Sequence, residues 1–211
     1  MRIIAGEYRS RRLEAPAGLA TRPTSDRLRE TLFNVLTPRM EGAVFLDLYA
    51  GSGAVGMEAL SRGAKSVDFV ERADAAVAVL RGNLARLGIR DGVRVHTSGV
   101  GVWLRRITRS VAAPPHGRGP VRGDPGPDRK PGLPKAFDLV FLDPPYEAVE
   151  EYAATLGVLG GSVGLLAPGA LVIAEHRRKE KLGERYGELG RTRLLEQGDA
   201  ALSFYAASPE A

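Results

Sequence analysis

Phe137-Asp138-Leu139-Val140-Phe141-Leu142-Asp143-Pro144-Pro145-Tyr146 decides how the rest of the chain is read. Five of its first six residues are apolar, which suits a parallel strand buried on both faces. A carboxylate, two prolines and an aromatic ring then arrive together. Pro144 and Pro145 have no N–H to extend a ladder, so the strand stops there on two fixed φ angles. In open α/β sheets, ligands bind at the carboxyl ends of strands. A carboxylate, a carbonyl with no competing strand partner and an aromatic face are therefore offered at one rim, the set a planar amine requires. The plainer reading makes Asp143 a helix cap and Tyr146 packing.

Upstream, Val44 to Leu48 is a second buried strand, and it runs into Gly51-Ser52-Gly53-Ala54-Val55-Gly56. This is G-x-G-x-x-G between a strand and a helix, with Glu71 closing the next strand 18 residues after Gly53. A dinucleotide fold fits, with pyrophosphate on the helix terminus and the acid on ribose hydroxyls. A methyltransferase fits equally. Asp47 tilts the choice, because a carboxylate attracts the ammonium and sulfonium of S-adenosylmethionine and repels a pyrophosphate.

Farther out, the chain alternates between the two periodicities. Strands are expected at Ser66 to Glu71, Val93 to Thr97 and Ala170 to Glu175, and helices at Ala73 to Leu87, around Val102 to Ile107 and from about Val149. Gly190 to Leu195 and Ala200 to Tyr205 form a closing hairpin. Alternation of this kind predicts an α/β fold, a doubly wound and mostly parallel sheet with an antiparallel hairpin at its last edge. Ser110 to Lys135 holds seven of the 14 prolines and five glycines. It cannot bury a core and reads as a flexible insertion in the surface.

The amino end is basic. Residues 1–39 carry eight arginines against four acids, and no lysine. Arginine's planar fork matches phosphates and guanine edges, so nucleic acid is the expected partner. Arg2 to Tyr8 and Arg12 to Ala15 read as a small basic β-hairpin, followed by a helix carrying Leu28, Leu32, Val35 and Leu36 on one stripe. The chain divides into this arm, 1–39, packed on a domain spanning 40–211 with the insertion at 110–135. Cysteine is absent, which excludes disulfides, thiolate metal sites and a cysteine nucleophile. The opening residues are too short an apolar run for a signal sequence, and no later stretch is long enough to span a bilayer. A cytoplasmic monomer with no bound metal is expected.

The chain resembles the RsmD family, the bacterial 16S rRNA (guanine(966)-N2)-methyltransferases. The likeness rests on Arg2 to Gly6, Arg22-Pro23-Thr24-Ser25-Asp26-Arg27-Leu28-Arg29-Glu30, Leu32-Phe33-Asn34, Asp47 to Gly56, Ser61 to Ala64, Asp143 to Tyr146 and Gly198 to Leu202. The glycine loop and Asp-Pro-Pro-Tyr are shared with many amino-methyltransferases, while the arginine block makes the match specific. The resemblance implies a Rossmann-like class I methyltransferase with a seven-stranded sheet, using S-adenosylmethionine on 16S rRNA of the 30S subunit or an assembly intermediate. It implies cofactor contacts from Asp47, Ala50, Gly51, Ser52, Gly53, Glu71 and Ser98. Asp143, Pro144 and Tyr146 would act on the base, with Arg2, Arg9, Arg11, Arg12, Arg22, Arg27 and Pro145 facing RNA. Two features depart from the family. Ser98-Gly99-Val100 stands where similar proteins usually carry an acid or amide toward adenine, and the insertion is atypical.

Three rivals remain open at this level. Adenine-N6 methylation of DNA or RNA needs the same amine chemistry, an RNA-binding protein could use the fold without turnover, and a nicotinamide reductase shares the glycine loop. Cytosine C5 methylation through a thiolate is excluded.

Overall fold

The computed structural model describes residues 1–16, 26–112, 136–145 and 148–207. Arg22, Tyr146 and residues 113–135 of the insertion lie outside the described residues. The elements are α1 (Asp26–Leu36), a 3-10 turn (Thr37–Arg39), β1 (Val44–Leu48), α2 (Ala54–Ser61), β2 (Ser66–Glu71), α3 (Asp74–Leu87), β3 (Val93–Thr97) and α4 (Val100–Ala112). After the insertion come β4 (Phe137–Leu142), α5 (Glu150–Gly161), β5 (Leu166–Arg177), β6 (Arg185–Tyr186), β7 (Leu189–Gln197) and β8 (Ala200–Ala207).

All eight strands lie in one sheet of order β3-β2-β1-β4-β5-β8-β7-β6. From β3 to β5 the pairing is parallel, and β8, β7 and β6 add antiparallel neighbours. The strand order reverses at β1, next to β4, where such sheets bind ligands. One face packs against α1, α2 and α3 through Phe45, Phe69, Leu139, Phe141 and Ile173. The other packs against α4 and α5 through Leu46, Val70, Val140, Leu142 and Val172. Alternate residues of β4 thus serve opposite cores, which is why its apolar run is continuous rather than alternating.

Three elements differ from the sequence reading. The sheet has eight strands instead of seven, because Arg185 and Tyr186 fold back on Gly190 and Leu189 as a two-residue edge. The helix expected around Val102 to Ile107 runs from Val100 to Ala112 and takes up the first residues assigned to the insertion. The amino-terminal hairpin has a single antiparallel bridge, Arg2 to Arg12, in place of two strands. Its chain turns back early, at Gly6 with φ 82° and Ser10 with φ 68°.

Backbone bonds from Ile3 to the Arg11 carbonyl at 3.0 Å, from Ser10 to the Ile3 carbonyl at 2.9 Å and from Leu13 to the Met1 carbonyl at 3.1 Å cross the hairpin, and docking on α2 adds to them. A Cβ on Gly6 would lie 1.7 Å from the Ser61 carbonyl oxygen, so only glycine lets the arm press on α2. Glu58 of α2 accepts the backbone N–H groups of Ile4 at 2.7 Å and Ala5 at 3.0 Å. The same buried carboxylate faces Arg62 at 2.7 Å and Arg29 at 3.8 Å. Ile3 and Leu13 are the hairpin's buried apolar anchors, each contributing roughly 1.5–3 kcal/mol. Arg29, counted in sequence among the basic residues of the arm, is wholly buried and ties α1 to the Arg2 carbonyl and to Asp26. It contributes structure, not surface charge.

Candidate active site

β1 and β4 are neighbours in register, Leu48 opposite Leu142, and β5 follows with Ala174 opposite Leu142. One step beyond that row, the chain places Asp143 beside Glu175. Asp143 is half-buried, Pro144 is buried and Pro145 is exposed. The Pro145 carbonyl accepts the N–H of Ala148 at 2.8 Å, closing a turn, whereas no backbone N–H of the described residues reaches the Pro144 carbonyl. Burial first, then the negative charges of Glu175 and Asp47, push the Asp143 carboxyl well above the usual carboxylate range.

The glycine loop is preformed. Asp47 is buried and accepts the N–H of Gly56 at 2.9 Å. Burial, only partly offset by that bond and increased by Glu71, pushes it up to about 8. Glu71 accepts the N–H groups of Gly51 at 2.9 Å and of Arg72 and Ala73 at 2.8 Å each. A carboxylate has about four acceptor positions, so Glu71 braces the loop and keeps about one for another partner. Gly56 must lack a side chain, since a Cβ there would meet the Phe69 ring at 2.3 Å. Tyr49 turns the chain out of β1 at φ 61°, an uncommon conformation for a bulky residue. Its hydroxyl, bonded to Thr155 at 2.7 Å and Glu151 at 2.9 Å, anchors that turn on α5.

The remaining predicted cofactor residues lie next to the loop, while the arm's arginines belong to the segment docked on α2 and α3. Ala50 donates to the Val70 carbonyl, and Ser98 donates its N–H to the Glu71 carbonyl while its hydroxyl turns to Gly99. Ser52 is buried beneath the arm. Arg2, Arg9, Arg11, Arg12 and Arg27 are exposed. Sequence reasoning missed Glu175, Glu58 and Asn83. Only Glu58 left a signal, as a charge within the apolar helix α2. The basic run Arg177 to Lys181 starts two residues past Glu175, at the same rim.

A family model described as "Conserved hypothetical protein 95" matches residues 1–112 and 127–206. Ribosomal RNA small subunit methyltransferase D of Escherichia coli is 35% identical over 177 residues, 83% of this chain and 74% of that protein. Its counterpart in Haemophilus influenzae is 34% identical, covering 86% of this chain and 81% of that one. This chain belongs to the RsmD family. A solved structure of a hypothetical protein from Thermus thermophilus superposes with a TM-score of 0.73 at 31% identity, over 97% of this chain and 98% of that one. The family match breaks between residues 112 and 127, within the proline-rich insertion.

The cofactor of this methyltransferase family and fold is S-adenosylmethionine, and the rim fits it. Burial first, and then neighbouring acids, raise the pKa values of Asp47 and Asp143, and the cofactor is a cation at its reactive end. Cβ atoms at Gly51 and Gly99 would meet nothing nearer than 4.0 Å, so both keep the mouth of the loop open. Among the described residues, no cluster of acids and histidines could hold a metal ion. No helix among them is long and apolar enough to cross a membrane.

Proposed function

We propose that this protein methylates the exocyclic N2 amine of one guanine of 16S rRNA, the equivalent of guanine 966, on the 30S subunit or an assembly intermediate. The observation that carries the reading is Asp143: a carboxylate at a strand end, beside Glu175 and Asp47, whose charges with burial raise its pKa. Asp47, Glu71 and the open glycine loop would hold S-adenosylmethionine, which supplies an electrophilic methyl group when bound.

The chain's own part is to make a poor nucleophile attack. The lone pair of guanine's amine is delocalised into the ring. Asp143 and the Pro144 carbonyl accept hydrogen bonds from its two N–H groups, drawing the nitrogen toward tetrahedral geometry, and Tyr146 stacks on the base. Positive charge facing the rim lowers the Asp143 pKa, so the group is ionised and free to accept once the cofactor site is filled. Alignment of amine and methyl supplies much of the remaining acceleration, and Asp143 or water takes the released proton. The base must leave its stack to reach the rim. The exposed arginines of the arm, Arg2, Arg9, Arg11, Arg12 and Arg27, with Arg22, would bind phosphates and set the register.

Labelled cofactor should transfer its methyl group to 30S particles from a strain lacking the enzyme, and mapping should place it on guanine N2. Methyl on adenine N6 would move the reading to the rival base. Cofactor binding without transfer to any ribosomal particle or rRNA would overturn it.

A further inference from the structure

Asn83 lies in α3, fully buried, and has no part in the chemistry above. Its amide joins two distant stretches. Oδ1 accepts the backbone N–H of Glu14 and the Arg86 guanidinium, each at 2.9 Å. Nδ2 donates to the Glu14 carbonyl at 3.0 Å and to the Ser52 carbonyl at 3.1 Å. A primary amide has two N–H groups and two carbonyl lone pairs, so every position is used. The orientation is fixed as well, because a flipped amide would set its oxygen against two carbonyls and its NH2 against two donors.

Glu14 belongs to the arginine arm, and Ser52 is the middle residue of Gly51-Ser52-Gly53. Further contacts reinforce the tie. Arg86 also pairs with the Glu14 carboxylate at 2.5 Å, and Arg11 donates to the Arg86 carbonyl at 3.3 Å. The Ser52 hydroxyl faces the sulfur of Met1, the first residue of the arm, at 3.6 Å. Through one buried amide, the backbone that would cradle the cofactor is bonded to the backbone that would carry RNA.

We propose that Asn83 is a positioning residue that makes cofactor binding and RNA binding mutually dependent. The inference rests on the functional reading above, which assigns the loop to the cofactor and the arm to RNA. A ligand that settles Ser52 also settles Glu14 and, through it, the arm; RNA on the arm does the reverse. Each ligand orders in advance what the other would otherwise have to order, which gives positive cooperativity. A fully satisfied buried network suits this role because losing one partner strands the others. The coupling must be reciprocal, the same factor seen from either side.

The test uses the full chain, S-adenosylhomocysteine as a non-reacting cofactor and unmethylated 16S rRNA. In wild type, saturating S-adenosylhomocysteine should tighten RNA binding by about 5–150-fold, the usual range of such coupling, and RNA should tighten S-adenosylhomocysteine binding equally. In Asn83→Ala the factor should fall toward one. Asn83→Asp should do the same, because it keeps the shape but opposes a carboxylate to two carbonyls. Arg86→Ala, at a partly exposed position, removes one bond to the amide and should reduce the factor even if the Asn83 variants fail to fold. A purely structural Asn83 would lower the melting temperature and leave the factor intact. A wild-type factor of one, or an undiminished factor in folded Asn83→Ala or in Arg86→Ala, overturns the coupling while leaving the methyltransferase reading in place. Failure of wild type to bind RNA at all removes the basis of both.

Discussion

Asp47 and Asp68 are buried on adjacent strands of one sheet, and burial alone would raise the pKa of each. On β2, Asp68 accepts two bonds from Arg94 at 2.7 and 2.6 Å and one from His96 at 2.7 Å. Those partners outweigh desolvation, and its pKa is lowered. On β1, Asp47 receives one backbone N–H and faces Glu71, and it is pushed up to about 8. Asp143 shares that condition. The chain supplies one acid with positive partners and leaves the other two without any among the described residues, so that they hold their protons more tightly. A structural acid carries its own counterion; an acid kept short of one is placed for a positive ligand, which is why perturbed groups gather at sites.

The largest effect that could break this contrast lies at Asp143. Asp143→Ala should lower single-turnover methyl transfer by about 10²–10³-fold, the usual loss when one preorganised transition-state hydrogen bond is removed. Cofactor affinity should change little. The folded protein should be no less stable, since a repelled carboxylate has gone. Asp143→Asn keeps an acceptor oxygen and removes the charge, so its activity divides geometry from electrostatics. A capping role predicts the reverse pattern, with about 0.5–2 kcal/mol of stability lost and turnover unchanged.

Asp68→Ala should behave in the opposite way. Breaking a buried pair typically costs about 3–5 kcal/mol, and the low end is expected because Arg94 is partly exposed and can rehydrate. Urea denaturation measures the loss, and turnover per folded molecule should hold. If activity falls while stability does not, Asp68 is part of the site and the contrast collapses.

The difference between these two acids was only half legible in the sequence. The parallel core could be read because strands buried on both faces are continuous apolar runs, and Pro144-Pro145 marked where one ended. Asp47 and Asp143 were found because each lies at a strand end next to turn residues. The partners of Asp68 were not, since Arg94 and His96 lie 26 and 28 residues away and meet it only through strand pairing. Asn83 reads in sequence as an ordinary polar helix residue, yet its partners are Ser52 and Glu14, 31 and 69 residues distant. Arg29 misled in the other direction: an arginine within a basic block lies on the buried face of α1. Long-range polar pairing leaves no local period to detect, and a two-residue edge such as β6 leaves none either.

A smaller effect is expected at Glu71, which sharpens the contrast from the cofactor side. Glu71→Ala strands the Gly51, Arg72 and Ala73 N–H groups at the loop and removes the acid proposed to take the ribose hydroxyls. Cofactor binding should weaken by about 1–3 kcal/mol, the range for leaving polar partners unmet. Calorimetry on the folded variant decides it, and an unchanged affinity would remove Glu71 from the cofactor site.

The smallest effect is a change of slope, and it bears most directly on the two aspartates. Asp47 holds its proton to about pH 8 in the folded chain, against an ordinary value of 3.8. The folded state therefore binds more protons across that window, so this group's stabilisation is complete below about pH 4 and is lost as pH rises toward 8. Asp68, with a lowered pKa, contributes above the ordinary carboxylate range and loses that contribution as pH falls through its folded value. Asparagine at position 47 cannot ionise. The melting temperature of cofactor-free Asp47→Asn minus that of wild type should therefore grow steadily between pH 5 and 8. Asp143 acts in the same sense, because losing the Asp47 charge removes one of the influences that raise it. Saturating cofactor should flatten the wild-type slope, since positive charge at the rim favours the ionised acids. Asp68→Asn should leave the alkaline slope alone and relieve the loss at low pH. A difference between Asp47→Asn and wild type that stays constant from pH 5 to 8 would show that Asp47 is ionised in the folded chain throughout. It would then be as well compensated as Asp68, and the rim would have no unmet charge to offer a cation.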